Sequence, residues 1–195
     1  MKLDVLGLHI SISLWFLVFI AVFTWRNFAE LRLVRARAGG ESGARTGGGT
    51  LLLFVGSYFL CGLGTAAWLL FDDPMLELFV VGNAGFLWLH VVRSRILRQE
   101  LSKAWNPFTT PRTDSTLVTE GAYRRIRHPL YLLNCLELAC LILVLPNPLA
   151  FAGWLIDLAA SLWRIPGEER LLADRYGAAW EAYRARTWRL IPWVW

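Results

Sequence analysis

The segment with the most side chains capable of chemistry is a short polar run that directly precedes a long apolar stretch. It reads Gly-Ala-Tyr-Arg-Arg-Ile-Arg-His-Pro-Leu-Tyr over residues 121–131. Pro129 suits the first turn of a helix, which puts His128 at the helix entrance, where free backbone N–H groups attract a carboxylate or phosphate. Tyr131 adds an aromatic face nearby. The same residues also suit an interfacial anchor, with arginines on lipid headgroups and a tyrosine in the aromatic belt.

A second group of candidate residues lies in the tail after the last apolar stretch. Pro166 and Gly167 predict a break in the chain, after which Glu168 and Glu169 begin a new helix. Capping alone would explain both carboxylates, because acidic residues stabilise a helix N-terminus. Apolar and aromatic side chains then recur at spacings of three to five, which predicts one amphipathic helix on the membrane surface. They are Leu171, Leu172, Tyr176, Trp180 and Tyr183.

A third group consists of polar residues inside apolar stretches. Glu137 and Asp157 lie about 10–14 Å below the interface, at the rise of an α-helix. Intramembrane ionisable groups are costly and usually face a partner or an aqueous cavity. We interpret both, with His90 and Asn134, as candidate substrate contacts. The alternative is a structural polar cluster, in which Glu137 or Asp157 is protonated or is paired with His90 or an arginine.

The elements that must hold these groups are membrane-spanning helices. Of the 195 residues, 56% are hydrophobic, above the roughly 45–50% of soluble domains. A spanning helix needs about 20 mainly apolar residues. Five stretches come close, and Pro146-Asn147-Pro148 between the last two predicts a tight helical hairpin. The five are Leu8–Trp25, Thr50–Phe71, Leu78–Val92, Leu130–Leu145 and Leu149–Trp163.

The distribution of basic residues predicts the orientation. Segments 26–49, 93–129 and 164–195 hold all but one of the 20 Lys and Arg, and the opposite side holds only Lys2. The positive-inside rule then puts the N-terminus outside and the C-terminus in the cytosol. Arginines follow the first apolar run instead of preceding it, so that run is interpreted as a retained anchor. The net charge of +5 therefore reflects topology and does not indicate nucleic-acid binding.

We thus predict an all-α, polytopic transmembrane helical bundle of about five spans with a C-terminal interfacial amphipathic helix. It forms a single membrane domain over residues 1–195, with spans one to three in 1–116 and the hairpin and tail in 117–195. The cysteines all lie in apolar runs, so neither a disulfide nor a metal site is predicted. They are Cys61, Cys135 and Cys140.

The motifs of this second half follow one another in a specific order. Residues 121–131 contain Gly-x-Tyr-Arg-x-x-Arg-His-Pro-x-Tyr, and an apolar hairpin follows. The tail contains Arg-Ile-x-x-Glu-Glu-x-x-Leu, then x-Tyr-Gly-x-x-aromatic-x-x-Tyr, then Arg-x-Ile-Pro. In this order they resemble the isoprenylcysteine carboxyl methyltransferase family and the related phospholipid methyltransferases, over about residues 117–192.

The resemblance implies an integral membrane methyltransferase whose S-adenosylmethionine lies on the cytosolic side, between the hairpin mouth and the C-terminal helices. A sulfonium is a cation that carboxylates and aromatic faces can hold. The family pattern implies catalytic roles for Arg189, Glu168 and Glu169. It implies cofactor contacts from Tyr123, Arg127, His128, Pro129, Tyr131, Glu168, Glu169 and Tyr183.

The resemblance also implies an apolar or lipid-like acceptor that enters between helices, with no obligatory protein partner. A carboxylate acceptor needs no base and could be held bidentately by Arg189. An amine, phenol or thiol would need a base, for which Glu168 or Glu169 is the candidate. The chain departs from the family pattern at Leu133, where a small residue is usual, and less sharply at Ala122 and Trp180.

Two other functions stay open at this point. Membrane reductases of the sterol type resemble the hairpin and tail and use NADPH, although they are usually longer. A non-catalytic membrane adaptor would use the same arginines to bind anionic lipids.

Overall fold

The computed structural model describes residues 76–99, 116–144 and 146–195, together with three isolated helical positions, Gly56, Phe59 and Leu63. The first predicted span, nearly all of the second, and Cys61 lie outside the described residues. Within the described ranges the regular elements are helices, and the prediction of an all-α fold is confirmed for them. The five-span count and the orientation stay predictions.

Four α-helices and one short turn make up this part of the chain. Helix α1 spans Leu76–Gln99, a 3-10 turn spans Gly121–Arg124, α2 spans Pro129–Val144, α3 spans Pro148–Tyr176 and α4 spans Ala178–Arg184. The third predicted span lies inside α1, which continues for two more turns. Arginine, leucine and glutamine are good helix formers, so the helix does not end where the apolar run ends.

The predicted hairpin is formed by α2 and α3. Both helices begin at a proline, as predicted, because the fixed φ of proline suits the first helical position. The side chain of Asn147 caps α3 by accepting a hydrogen bond from the Ala150 N–H at 2.8 Å. Across the hairpin, the Trp154 indole N–H donates to the carbonyl of Cys135 at 3.1 Å.

The predicted break at Pro166-Gly167 is wrong. Helix α3 runs through both residues to Tyr176, so Glu168 and Glu169 lie inside it and do not begin a new helix. A proline removes one backbone donor, but its φ is helical, and burial on both sides of it holds the helix together. The helix ends at Gly177, whose φ of +49° is the left-handed conformation that favours glycine.

The predicted tail helix is therefore two helices. Leu171, Leu172 and Tyr176 lie on the last turns of α3, while Trp180 and Tyr183 lie on α4. The side chains of Trp180 and Tyr183 are buried, and their rings are 5.7 Å apart. The turn at Gly177 thus directs these two aromatic residues into the protein.

Helix α1 packs closely against α2. A Cβ atom at Gly82 would lie 2.7 Å from Val144 Cγ2 and 2.8 Å from the Cys140 carbonyl oxygen, so only glycine fits there. Phe86, Leu138 and Leu141 are buried in the same region. In the described part of the chain, α3 is long and apolar enough to cross a membrane, and α2 is apolar but shorter.

Candidate active site at the mouth of the hairpin

Backbone pairing joins the segment before α2 to the segment after α4. The N–H of Arg127 donates to the Trp188 carbonyl at 2.8 Å, and the N–H of His128 donates to the Arg189 carbonyl at 3.1 Å. The N–H of Trp188 donates back to the Arg125 carbonyl at 2.9 Å. This short parallel pairing brings Arg127, His128 and Arg189 to one place, although they are far apart in the sequence.

Glu169 binds two arginines of these segments. Its Oε1 accepts from Arg127 Nε at 2.8 Å, and its Oε2 accepts from Arg189 Nε and Nη2 at 3.0 and 2.7 Å. Arg127 Nη1 also donates to the carbonyls of Arg184 and Thr187. One carboxylate therefore ties α3 to the entrance of α2 and to the C-terminal segment.

The environment of Glu169 keeps it ionised. Its side chain is only 8% exposed and lies beyond the apolar stretch 149–163. Burial raises the pKa of this carboxyl, but contact with His128 and hydrogen bonds from Arg189 and Arg127 outweigh burial and hold the pKa well below its usual range. A carboxylate held in this way is a poor proton acceptor, which argues against Glu169 as the base.

Glu168 has different partners and is more exposed. Its Oε1 accepts from the Tyr131 hydroxyl at 2.6 Å and from Arg164 Nε at 2.8 Å. Its Oε2 lies 3.8 Å from His128 Nδ1, and the side chain is 20% exposed. Glu168 is therefore the member of the pair that a ligand at the mouth can reach.

His128 lies between the two glutamates. Its side chain is 6% exposed, and its ring lies 5.7 Å from the ring of Tyr131. Nε2 is 3.5 Å from Glu169 Oε1 but does not make a hydrogen bond with it, and it has no other hydrogen-bond partner in the described ranges. Buried polar atoms are normally hydrogen-bonded, so this nitrogen is available to a ligand atom.

The predicted substrate residues form two polar groups deeper in the helices. Glu137 is fully buried, accepts from Arg93 Nε at 3.1 Å and lies 3.7 Å from His90 Nδ1. Asn134 Nδ2 donates to Asp157 Oδ1 at 2.6 Å. Glu137 is thus paired with an arginine and lies close to His90, as the structural alternative expects, and the substrate roles of His90, Asn134, Glu137 and Asp157 stay predictions.

Comparison with known families identifies the chain. The model of the isoprenylcysteine carboxyl methyltransferase family matches residues 75–174, just over half of the sequence. The matched region contains α1, α2, all but the last two residues of α3, His128 and both glutamates of the mouth. The chain belongs to the isoprenylcysteine carboxyl methyltransferase family. No curated protein matches it.

Membership of this family confirms two of the predictions, a methyltransferase and a membrane protein. It also favours methyl transfer over the reductase and the adaptor. The match ends at residue 174, so Tyr183 and Arg189 lie beyond it. Arg189 joins the family region through Glu169, as described above.

Two tyrosines predicted to contact the cofactor are joined by a hydrogen bond. The Tyr183 hydroxyl donates to the carbonyl of Tyr123 at 2.8 Å, which connects α4 to the 3-10 turn. Burial raises the pKa of Tyr183 to about 12, although Arg127 and Arg186 oppose the shift. Pro129 is buried as the first residue of α2. The cofactor roles of these three residues stay predictions.

Sequence reasoning missed three residues of this site. Arg164 binds Glu168 and lies four positions before it, a helical spacing that would have revealed the pair. Arg93 binds Glu137 and lies one turn after His90. Trp195 packs its ring 4.6 Å from the guanidinium carbon of Arg189, and no sequence signal indicates this contact.

Proposed function

We propose that this protein transfers a methyl group from S-adenosylmethionine to a lipophilic acceptor at the hairpin mouth. Its family supports methyl transfer in a membrane. The observation that carries the proposal is the convergence of His128, Tyr131 and Glu168 at the point where α2 begins and α3 leaves its apolar stretch. Glu169, which binds Arg127 and Arg189, holds these side chains in place.

The side chains at the mouth fit the chemical groups of the cofactor. S-adenosylmethionine supplies a methyl group on a positively charged sulfur and carries an amino-acid carboxylate and amine. Glu168 is exposed enough to accept a cationic group, and the arginines suit the carboxylate. His128 Nε2 is buried and has no hydrogen-bond partner among the described residues, so a polar atom of the bound ligand would satisfy it.

The protein contributes to the reaction mainly by aligning the methyl donor with the acceptor. Methyl transfer is an in-line displacement, so holding donor and acceptor in register supplies much of the acceleration. Glu169 binds Arg127 through one carboxylate oxygen and Arg189 through the other, and Arg189 also packs on Trp195. Arg189 is thereby oriented to hold an acceptor carboxylate, for which no base is required.

The acceptor is best taken as a prenylated or similarly lipophilic carboxylate. The family description names isoprenylcysteine carboxyl groups as the site of methylation. Large apolar side chains are exposed along α3, among them Phe151, Leu155 and Leu162. They would accommodate the hydrocarbon chain while the headgroup reaches the mouth.

Titration calorimetry of the protein in detergent with S-adenosylmethionine and S-adenosylhomocysteine tests this function. We expect binding by the wild type and at least tenfold weaker binding by His128→Ala, since a ligand contact and a buried partner of both glutamates are lost. Glu181→Gln, an exposed position on α4, is the matched control and should bind normally. Absence of binding to folded wild-type protein would refute the proposal.

A further inference from the structure

An exposed apolar surface lies beside the hairpin mouth, on the segment that follows α4. We call residues 188–195 the tryptophan loop, because three of these eight residues are tryptophans. Trp193 is 84% exposed and Val194 is 75% exposed, and Trp188 and Ile191 are exposed as well. Large apolar side chains that lie together on a surface mark a site of interaction with a protein or a membrane.

The tryptophan loop has a defined backbone conformation. The N–H groups of Val194 and Trp195 donate to the Ile191 carbonyl at 3.2 and 3.1 Å, and the Leu190 N–H donates to the Trp195 carbonyl at 3.0 Å. Trp193 has a φ of +64°, a left-handed conformation that is unfavourable for a bulky residue. The loop therefore holds the indole of Trp193 on the surface at a cost in backbone strain, and strain of this kind is found where it serves a function.

The aromatic residues of α4 do not contribute to this surface. Trp180 and Tyr183, which the sequence pattern placed on the membrane-facing side of a tail helix, are buried. Glu181 and Ala182, which lie between them in the sequence, are exposed. The aromatic side of α4 thus faces the protein, and the exposed aromatic residues of this part of the chain belong to the tryptophan loop.

The depth of the loop in the membrane follows from its backbone pairing with the mouth. Trp188 pairs with Arg125 and Arg127, which directly precede α2. The mouth lies just beyond the apolar stretch of α3, which ends at Trp163, itself 74% exposed. In a member of a membrane protein family, such a stretch ends at the lipid–water interface, where tryptophan is enriched. The tryptophan loop therefore lies at the depth of the lipid headgroups.

The charges around the loop suit lipid phosphates. Arg124 and Arg125 are exposed on the segment that pairs with the loop, and Arg186 is exposed two residues before the loop begins. Guanidinium groups bind phosphate oxygens bidentately, and basic clusters at a membrane surface are attracted to headgroups. An interface that offers phosphates beside hydrocarbon complements both the arginines and the exposed indoles.

The loop also carries a residue of the candidate site. Arg189 Nη2 lies 2.7 Å from Glu169 Oε2, and its guanidinium carbon lies 4.6 Å from the ring of Trp195. Successive side chains of an extended segment point to opposite sides, so Trp188 points away from Glu169, in agreement with its 40% exposure. One short segment thus contacts the site with Arg189 and the molecular surface with Trp188.

We propose that the tryptophan loop is a lipid-binding surface that lies in the headgroup layer of the bilayer and anchors Arg189 beside the mouth. The side chains of Trp188, Trp193 and Val194 contact the region between the headgroups and the acyl chains, and the three exposed arginines contact lipid phosphates. This inference does not rest on the proposed methyl transfer, because it concerns where the segment lies in the membrane and not what the mouth binds.

Spin labels measure the depth of the loop in a bilayer. Trp193→Cys and Val194→Cys, each labelled with a nitroxide, are compared in phosphatidylcholine nanodiscs with Ala182→Cys, at an exposed position of α4. All three are made in a background in which the three native cysteines are replaced by alanine. Oxygen concentrates in the bilayer and a nickel chelate stays in water. We expect the ratio of oxygen to nickel collisions to be at least about threefold higher at positions 193 and 194 than at position 182.

Three results of this measurement would overturn the proposal. Equal ratios at the three positions would place the loop in water. A label at position 193 or 194 that is shielded from both oxygen and nickel would show that protein covers the loop. Dipolar broadening between labels in discs that hold two copies of the protein would identify the cover as a second copy. Circular dichroism checks that each variant is folded, and Val194→Cys alone suffices where Trp193→Cys does not fold.

Hydrogen–deuterium exchange in nanodiscs tests whether the lipid contact anchors the segment that carries Arg189. Trp193→Ser removes the indole, whereas Trp193→Phe keeps a ring that suits the interface. We expect the amides of residues 186–195 to exchange at least about fivefold faster in Trp193→Ser than in the wild type, and within about twofold of the wild type in Trp193→Phe. Glu181→Gln, at an exposed position of α4, is the control and should exchange as the wild type does.

Two results would overturn the anchoring role. Unchanged exchange in Trp193→Ser would show that the lipid contact does not hold the segment. Equal acceleration by Trp193→Ser and Trp193→Phe would assign the effect to the indole contact between Trp188 and Trp193, whose rings lie 6.5 Å apart, and not to the bilayer.

Discussion

Glu168 and Glu169 are adjacent in the sequence but have different surroundings. Successive residues of an α-helix point about 100° apart, so one carboxylate faces the partly exposed mouth and the other faces the buried arginines. Glu169 bonds to Arg127 and Arg189, whereas Glu168 bonds to Arg164 and Tyr131. At the scale of residues, we therefore infer that Glu169 positions the site and Glu168 contacts the ligand.

Replacing Glu169 with glutamine should loosen the C-terminal segment. Glu169→Gln removes the charge that holds both arginines, so we expect the free energy of unfolding to fall by about 2 kcal/mol and methyl transfer to fall at least tenfold. Thermal unfolding in detergent and a labelled-methyl assay would measure the two effects. Glu181→Gln should change neither, because its pair with Arg184 is exposed and 3.5 Å long.

The stabilising effect of Glu169 should depend on pH only in acid. The pKa of its carboxyl is lower in the folded protein than the value of about 4.3 in unfolded chains. The contribution is therefore complete above the unfolded pKa and is lost as pH falls through the folded pKa. The difference in Tm between wild type and Glu169→Gln should be constant from pH 8 to about 5 and should shrink below pH 4. A decline between pH 8 and 6 would contradict this.

At the scale of elements, one glycine is required for close packing of two helices, whereas another is not. Gly82 lies where α1 touches α2, and Gly167 lies inside α3 with open space around it. Gly82→Ala would overlap backbone atoms of α2, so we expect a loss of roughly 1–3 kcal/mol in stability. Gly167→Ala should be neutral or stabilise by up to about 1 kcal/mol, because alanine favours a helix. Equal Tm changes for the two would show that the helix contact is wrong.

The connection between α4 and the 3-10 turn depends on one hydroxyl. Tyr183→Phe removes the bond to the Tyr123 carbonyl and should cost about 1 kcal/mol. Ultraviolet titration should also lose a tyrosine that ionises near pH 12. Because the folded pKa is raised, this residue contributes stability below the unfolded pKa of about 10, and that contribution is lost as pH rises through 12. A wild-type titration with all tyrosines near pH 10 would contradict the burial of Tyr183.

At the scale of the whole molecule, a prediction concerns the side of the membrane that the hairpin mouth faces. The basic residues of the sequence predict the cytosolic side. Ala182 is exposed on α4, so an Ala182→Cys variant should react with a membrane-impermeant maleimide from the cytosolic face of sealed vesicles. The wild type, with its own three cysteines, provides the background. Labelling only from the opposite face would reverse the predicted orientation.

Local patterns predicted much of this fold. The prolines at 129 and 148 each mark a helix start, and the hairpin between them follows from their spacing. The same local rule failed at Pro166, because burial of Ile165 and Glu169 keeps α3 helical across the proline. The motif order identified the family, but the pairing of Glu169 with Arg189 connects segments that no local spacing relates.

The sequence by itself determined that the described part of this chain is helical, that its charges gather beside the hairpin, and which family it belongs to, because periodicity, proline positions and motif order are all local. Tertiary structure alone decided which charges meet. Glu169 between Arg127 and Arg189, Glu137 on Arg93, and the burial of Ser161 all result from how helices pack and from the backbone pairing at Trp188. Charged side chains at the mouth become partners because they are close in space, and only folding brings them close.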